Sequence, residues 1–208
     1  MHQKRQEVTT KIPIPRKGTK YVVRASSHLK EAVPVVVAVR DILKLARTSK
    51  EVKRMINNNL LKINGKLVKD LRESIKLFNL FEADKLYHLA LSNTHRFVFK
   101  EHKQKNERLC KIIGQKLLKG SKIQINLHDG TNIISGKKFK VGDSLYLDLS
   151  GKITKHVSVE KGKNAFVMSG KYAGLNGKIE STKDKKAVIK FTDKEGSAEL
   201  SISQIIVE

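Results

Sequence analysis

Tryptophan is missing from this chain of 208 residues, cysteine occurs once, proline three times, and aromatic residues make up only 5%. Acids are scarce as well: 20 Asp and Glu stand against 43 Lys and Arg, a formal charge of +23. Each shortage excludes something. The lone thiol, Cys110, has no partner for an internal disulfide or a zinc cluster and reads as a small buried hydrophobe. Cores must be built from Leu, Ile and Val around few rings, so several small domains fit the length better than one large one. The longest apolar run, Val33 to Val39, contains Pro34 and ends at Arg40, which excludes a helical membrane span. The N-terminus MHQKRQEVTT has no apolar stretch and no small-residue cleavage site, so no secretory signal is expected and the cytosol is the expected compartment.

The surplus of bases is clustered rather than spread. Residues 1–30 carry eight bases and one acid, 31–76 eleven and five, and 100–122 eight and two, whereas 77–99 carry two of each. Blocks of like charge repel one another until a polyanion offsets them, and nucleic acid is the commonest polyanion in a cytosol. An ordinary enzyme has no need of such blocks. The usual catalytic signatures are missing too: there is no Walker loop, no H-E-x-x-H and no G-x-S-x-G. The histidines are scattered, His128-Asp129 precedes a Gly that makes it a turn, and the neighbours of Cys110 offer no base. No catalytic residue, metal site or cofactor is expected.

The first 30 residues hold Pro13 and Pro15 and lack any useful periodicity, so they read as an extended basic arm, disordered when free, whose Lys4, Arg5, Arg16 and Lys17 meet phosphates. From Pro34 to Arg47 apolar residues recur at three and four residue spacing, which predicts an amphipathic helix with Arg40, Lys44 and Arg47 in a row on its polar face. Thr48 to Glu51 matches a capping box and starts a second helix with Lys50, Lys53, Arg54 and Asn57 turned away from its core side. Asn64-Gly65, flanked by Lys62 and Lys66, is a strong hairpin signal. Two helices and a hairpin would place these cations in one small unit suited to structured RNA, which is docked through shape and phosphates. Beyond residue 85 alternating patterns predict β structure. Residues 107–119 suit either a strand or a short helix, and five short strands from Asn164 to Glu208 suggest a small barrel.

Several segments together resemble a known family, the small-subunit ribosomal protein four of the archaeal and eukaryotic type. They are His28 to Pro34, Val39 to Lys44, Lys50 to Arg54, Lys62 to Lys66, Leu109 to Lys111, Asn126 to Asn132 and Lys140 to Leu145. Gly170-Lys-Tyr-Ala-Gly174-Leu-Asn-Gly177-Lys-Ile179 resembles the KOW motif, in which Lys171, Tyr172 and Lys178 flank the turn. The resemblance implies a structural, non-enzymatic constituent of the small ribosomal subunit, bound to small-subunit rRNA and to neighbouring ribosomal proteins. A chain end at Glu208 without a basic extension points to the archaeal type. The expected fold is α+β: a basic arm over 1–30, an RNA-binding helix-hairpin domain over 31–85 like that of bacterial ribosomal protein four, a central β-rich domain over 86–160, and an SH3-like KOW barrel over 161–208. The rival reading is a free RNA-binding regulator of translation or transcription with a KOW domain.

Overall fold

The computed structural model describes residues 2–102, 107–120, 122–192 and 196–208. Contacts divide the chain into two units, Met1–Lys105 and Asn106–Glu208. The first unit contains β1 (His2–Lys4), β2 (Tyr21–Val23), β3 (Ala32–Pro34), α1 (Val35–Val37), α2 (Ser49–Asn57), β4 (Lys62–Ile63), β5 (Lys66–Leu67), β6 (Ser74–Lys76), β7 (Leu80–Glu82), β8 (Leu86–Leu91) and β9 (Phe97–Glu101). Its main sheet is antiparallel in the order β5-β4-β7-β8-β9, and two-stranded ladders join β1 to β2 and β3 to β6. Leu61, Ile75, Leu80, Phe81, Leu89 and Phe97 are the largest side chains wholly buried here.

The second unit contains β10 (Glu107–Leu117), β11 (Ile123–Leu127), β12 (Asn132–Ser135), β13 (Ser144–Asp148), β14 (Ile153–Val157), β15 (Asn164–Val167), β16 (Asn176–Lys183), β17 (Lys186–Phe191), β18 (Ser197–Ser201) and β19 (Ile205–Val207). They form two antiparallel sheets, β12-β11-β10-β13-β14 and β18-β17-β16-β15-β19. In the second of these, four strands meander and the fifth returns to pair with the first, so hydrophobic side chains of all five meet in one cluster with Val167, Ile189, Ile205 and Val207 at its centre. The stretch left open between helix and strand is β10, which pairs with β11 along its second half and with β13 along its first. A bulge between Ile112 and Gly114 lets one strand serve both partners.

The α+β expectation is overturned: the described residues are mostly strands, with only two short α-helices, so the fold is β-rich and no helix-hairpin domain like that of the bacterial protein is present. The error lies in the valines. Pro34 belongs to β3, α1 covers only Val35–Val37, and Ala38–Ile42 continues as a wider π-turn before Lys44 takes φ +57° and ends the helical path. β-branched residues lower helix propensity, and burial of Val35, Val36, Val37 and Val39 does not require the long helix that their spacing suggested. The helix over Pro34 to Arg47 is therefore corrected to eight residues of mixed winding. The arm is also more ordered than expected: β1 pairs with β2, and Val8, Ile12 and Val22 are buried.

Candidate nucleic-acid interface

Thr48 caps α2 through its hydroxyl, which accepts from the Glu51 N–H, while the Glu51 carboxylate accepts from the Arg47 N–H at 2.7 Å. The Arg47 N–H and the Thr48 hydroxyl together hold the Glu51 carboxyl below the usual range, so it stays charged beside the helix start. This fixes the rotation of α2: Val52 and Ile56 are buried, and Lys50, Lys53, Arg54 and Asn57, spaced by three and four, share the exposed face. Among the described residues none of these three cations makes an ion pair. Arg47 and Lys44 are exposed too, but they lie beyond the helical path and form no row with Arg40.

Arg40 is committed to Asp41 by two hydrogen bonds of 2.9 and 2.8 Å and also donates to Ser49 Oγ. At the hairpin, Asn64 and Gly65 take φ +51° and +79°, the two positive values of a type I′ turn. Asn64 exchanges bonds with the Leu80 backbone, accepting through Oδ1 at 2.9 Å and donating its N–H at 2.8 Å, so its side chain positions β7. Lys62 pairs with Glu82 at 3.1 Å, whereas Lys66 is exposed. The cations expected to act together thus separate into Arg40 and Lys62, which are ion-paired within the chain, and Lys50, Lys53, Arg54 and Lys66, which are exposed and in no ion pair among the described residues.

In the N-terminal lobe Lys4, Arg16 and Lys17 are exposed, and Arg5 is half-buried with its guanidinium bonded to the protein's own loop. Tyr21 is 52% exposed with Lys20 Nζ 5.5 Å from its ring centroid. Strand alternation, Tyr21 out and Val22 in, is the signal that could have found it.

In the second unit the loop between β15 and β16 carries the glycine-rich segment. Gly177 lies so close to β17 that a Cβ there would stand 2.5 Å from Ile189 Cγ2 and from the Lys190 carbonyl oxygen, which explains why glycine is required. Lys171 is exposed and its Nζ sits 5.6 Å from the Tyr172 centroid, but the half-buried Tyr172 ring stacks on Phe191 with centroids 5.0 Å apart, so one of its faces is taken. Lys178 is exposed opposite Lys190, and like charges facing across a ladder repel each other. Cys110 is 1% exposed, and burial, reinforced by the Asp129 charge, pushes its thiol up to about 12, so it offers no thiolate at neutral pH. Among the described residues no helix is long and apolar enough to cross a membrane.

Residues 83–154 match the family described as Ribosomal family S4e, and residues 161–191 match the KOW motif. The chain is 36% identical over 189 residues to the small ribosomal subunit protein eS4 of Archaeoglobus fulgidus, covering 88% of this chain and 80% of the relative. It is 30% identical over 194 residues to the protein of the same name from Methanocaldococcus jannaschii, covering 86% and 80%. The fold is similar to the crystal structure of the 30S ribosomal protein S4e from Thermoplasma acidophilum, with a TM-score of 0.71 at 23% identity over 85% of this chain and 94% of that one.

Proposed function

We infer the function of this chain from its family: it belongs to the ribosomal family S4e and is a structural constituent of the small ribosomal subunit. The family is structural, so no reaction is assigned. In our reading its partner is small-subunit rRNA, with neighbouring ribosomal proteins around it, and it resides in the ribosome. The observation that carries the rRNA contact is the α2 face, where Lys50, Lys53 and Arg54 project into solvent, in no ion pair among the described residues, on a helix whose other side is anchored by Val52 and Ile56. Rigidly presented cations dock folded RNA through its phosphates and release condensed counterions as they do so. Lys66, Lys171 and Lys178, together with Lys4, Arg16 and Lys17, extend the same chemistry over both units. Arg5, Arg40, Lys62 and Asn64 act differently in this reading: they hold the loops and strands that present the others.

Sedimentation of a cell extract tests this reading. A structural constituent cosediments with the small subunit at one copy per particle and stays there through a moderate salt wash. A protein found mainly at the top of the gradient, or in substoichiometric amounts on the particle, would instead be the free regulator.

A further inference from the structure

The N-terminal lobe contains two neighbouring cavities. One, of about 630 Å³, is lined by Lys4, Arg5, Arg16, Lys17, Lys20 and Tyr21, and its size falls within the ~300–1,000 Å³ typical of small-ligand sites. The other, of about 220 Å³, shares Arg5 and Arg16 with it and continues to Thr94, His95 and Arg96. The shared wall is built, not incidental. Arg5 donates Nε to the Thr19 carbonyl at 2.7 Å, Nη1 to the Pro15 carbonyl at 2.7 Å and Nη2 to Thr19 Oγ1 at 2.8 Å, which staples both ends of the loop that carries Arg16 and Lys17. Strand pairing of β1 with β2 fixes Tyr21 at the rim, its ring exposed beside the Lys20 ammonium.

A preformed basic cavity with an exposed ring at its mouth offers two different contacts at once. The cations suit phosphates, and the ring suits the flat face of a base, the stacking contact on which single-strand binding relies. Duplex RNA presents phosphates but keeps its base faces stacked inside. We propose that this lobe binds an unpaired nucleotide of RNA, its base stacked on Tyr21 and its flanking phosphates held by Arg16, Lys17 and Lys20, with Arg5 as the positioning residue. The proposal rests on the RNA-binding reading above and adds to it the state of the strand. The shared Arg16 leads the strand from the larger cavity toward Arg96.

The test uses the full chain with a short single-stranded RNA lacking self-complementarity and with the same RNA in a duplex. Tyr21→Leu should weaken single-strand binding about tenfold or more while leaving duplex binding as it was, and Tyr21→Phe should stay within about twofold of the parent. The paired change Lys17→Ala with Lys20→Ala should weaken both. Tyrosine emission gives an independent reading: quenching by the single strand should be lost in Tyr21→Phe, whose fold is undisturbed because the hydroxyl lies in an exposed side chain. Single-strand affinity unchanged in Tyr21→Leu, with the lysine variant weakened, would overturn the stacked nucleotide and leave the electrostatic reading standing. A parent protein that binds neither RNA would overturn both.

Discussion

Lys111 is a buried ammonium without an acid beside it. It is 3% exposed, and its Nζ donates to the carbonyls of Ile202, Ser203 and Ile205 at 2.5, 2.8 and 2.6 Å, tying β10 to the turn that precedes β19. Lys111→Met fills the space but leaves the buried Ile205 carbonyl without its donor, a cost of ~1–3 kcal/mol, so urea unfolding should show a loss of about 1 kcal/mol or more. Burial pushes the Lys111 pKa down from 10.5 to about 8. Between those values the unfolded chain binds more protons than the folded one, so this residue makes stability rise as pH climbs from about 8 to 10.5. The difference in unfolding free energy between parent and Lys111→Met, followed across that window, should show the rise only in the parent. Gly177 sets a steric limit in the same unit: Gly177→Ala puts a methyl group against Ile189 and the Lys190 backbone, and overpacking of this kind costs ~1–3 kcal/mol or more. A melting temperature unchanged from the parent would show that β16 and β17 can separate freely.

At the scale of elements, α2 and its cap are a local device. Thr48→Ala removes the hydroxyl that receives the Glu51 N–H and should lower stability by ~1 kcal/mol in thermal unfolding, with Ser in its place restoring it. The capping box and the Asn64-Gly65 turn were legible because each is decided by neighbours within four residues, through one hydrogen bond or one pair of positive φ angles. The five strands from Asn164 onward were legible for a similar reason, since turns separate clean alternations. Two elements were not. The helix drawn over Pro34 to Arg47 mistook a buried valine cluster for an amphipathic stripe, because three and four residue spacing also arises when every side of a short segment is covered. Residues 107–119 could not be assigned because β10 gets its identity from β11 and β13, partners that local sequence does not reveal. The candidate site divides along the same line: exposure of Lys50, Lys53 and Arg54 followed from the helix period, whereas the internal bonds of Arg5, Arg40 and Lys62 depend on Thr19, Asp41 and Glu82, which no pattern links to them.

For the whole molecule, charge is the property that sequence and structure express in the same way. The surplus of +23 cannot be absorbed by folding, because 20 acids cannot match 43 bases, and Lys50, Lys53, Arg54, Lys171 and Lys178 are exposed. A β-rich frame of two units carries these cations, and the family assigns the frame to the small ribosomal subunit. The most direct measurement of this account is the salt dependence of binding between the full chain and small-subunit rRNA, taken for the parent and for the triple variant Lys50→Ala, Lys53→Ala, Arg54→Ala. With about six phosphates neutralised, the slope of log K against log salt should exceed ~4 in magnitude for the parent. It should fall by ~2–3 in the triple variant, about one for each lost contact, with the melting temperature held because exposed cations contribute little to folding. A parent slope near zero, or a triple variant with the parent's slope and affinity, would contradict the claim that the α2 face docks rRNA through its phosphates.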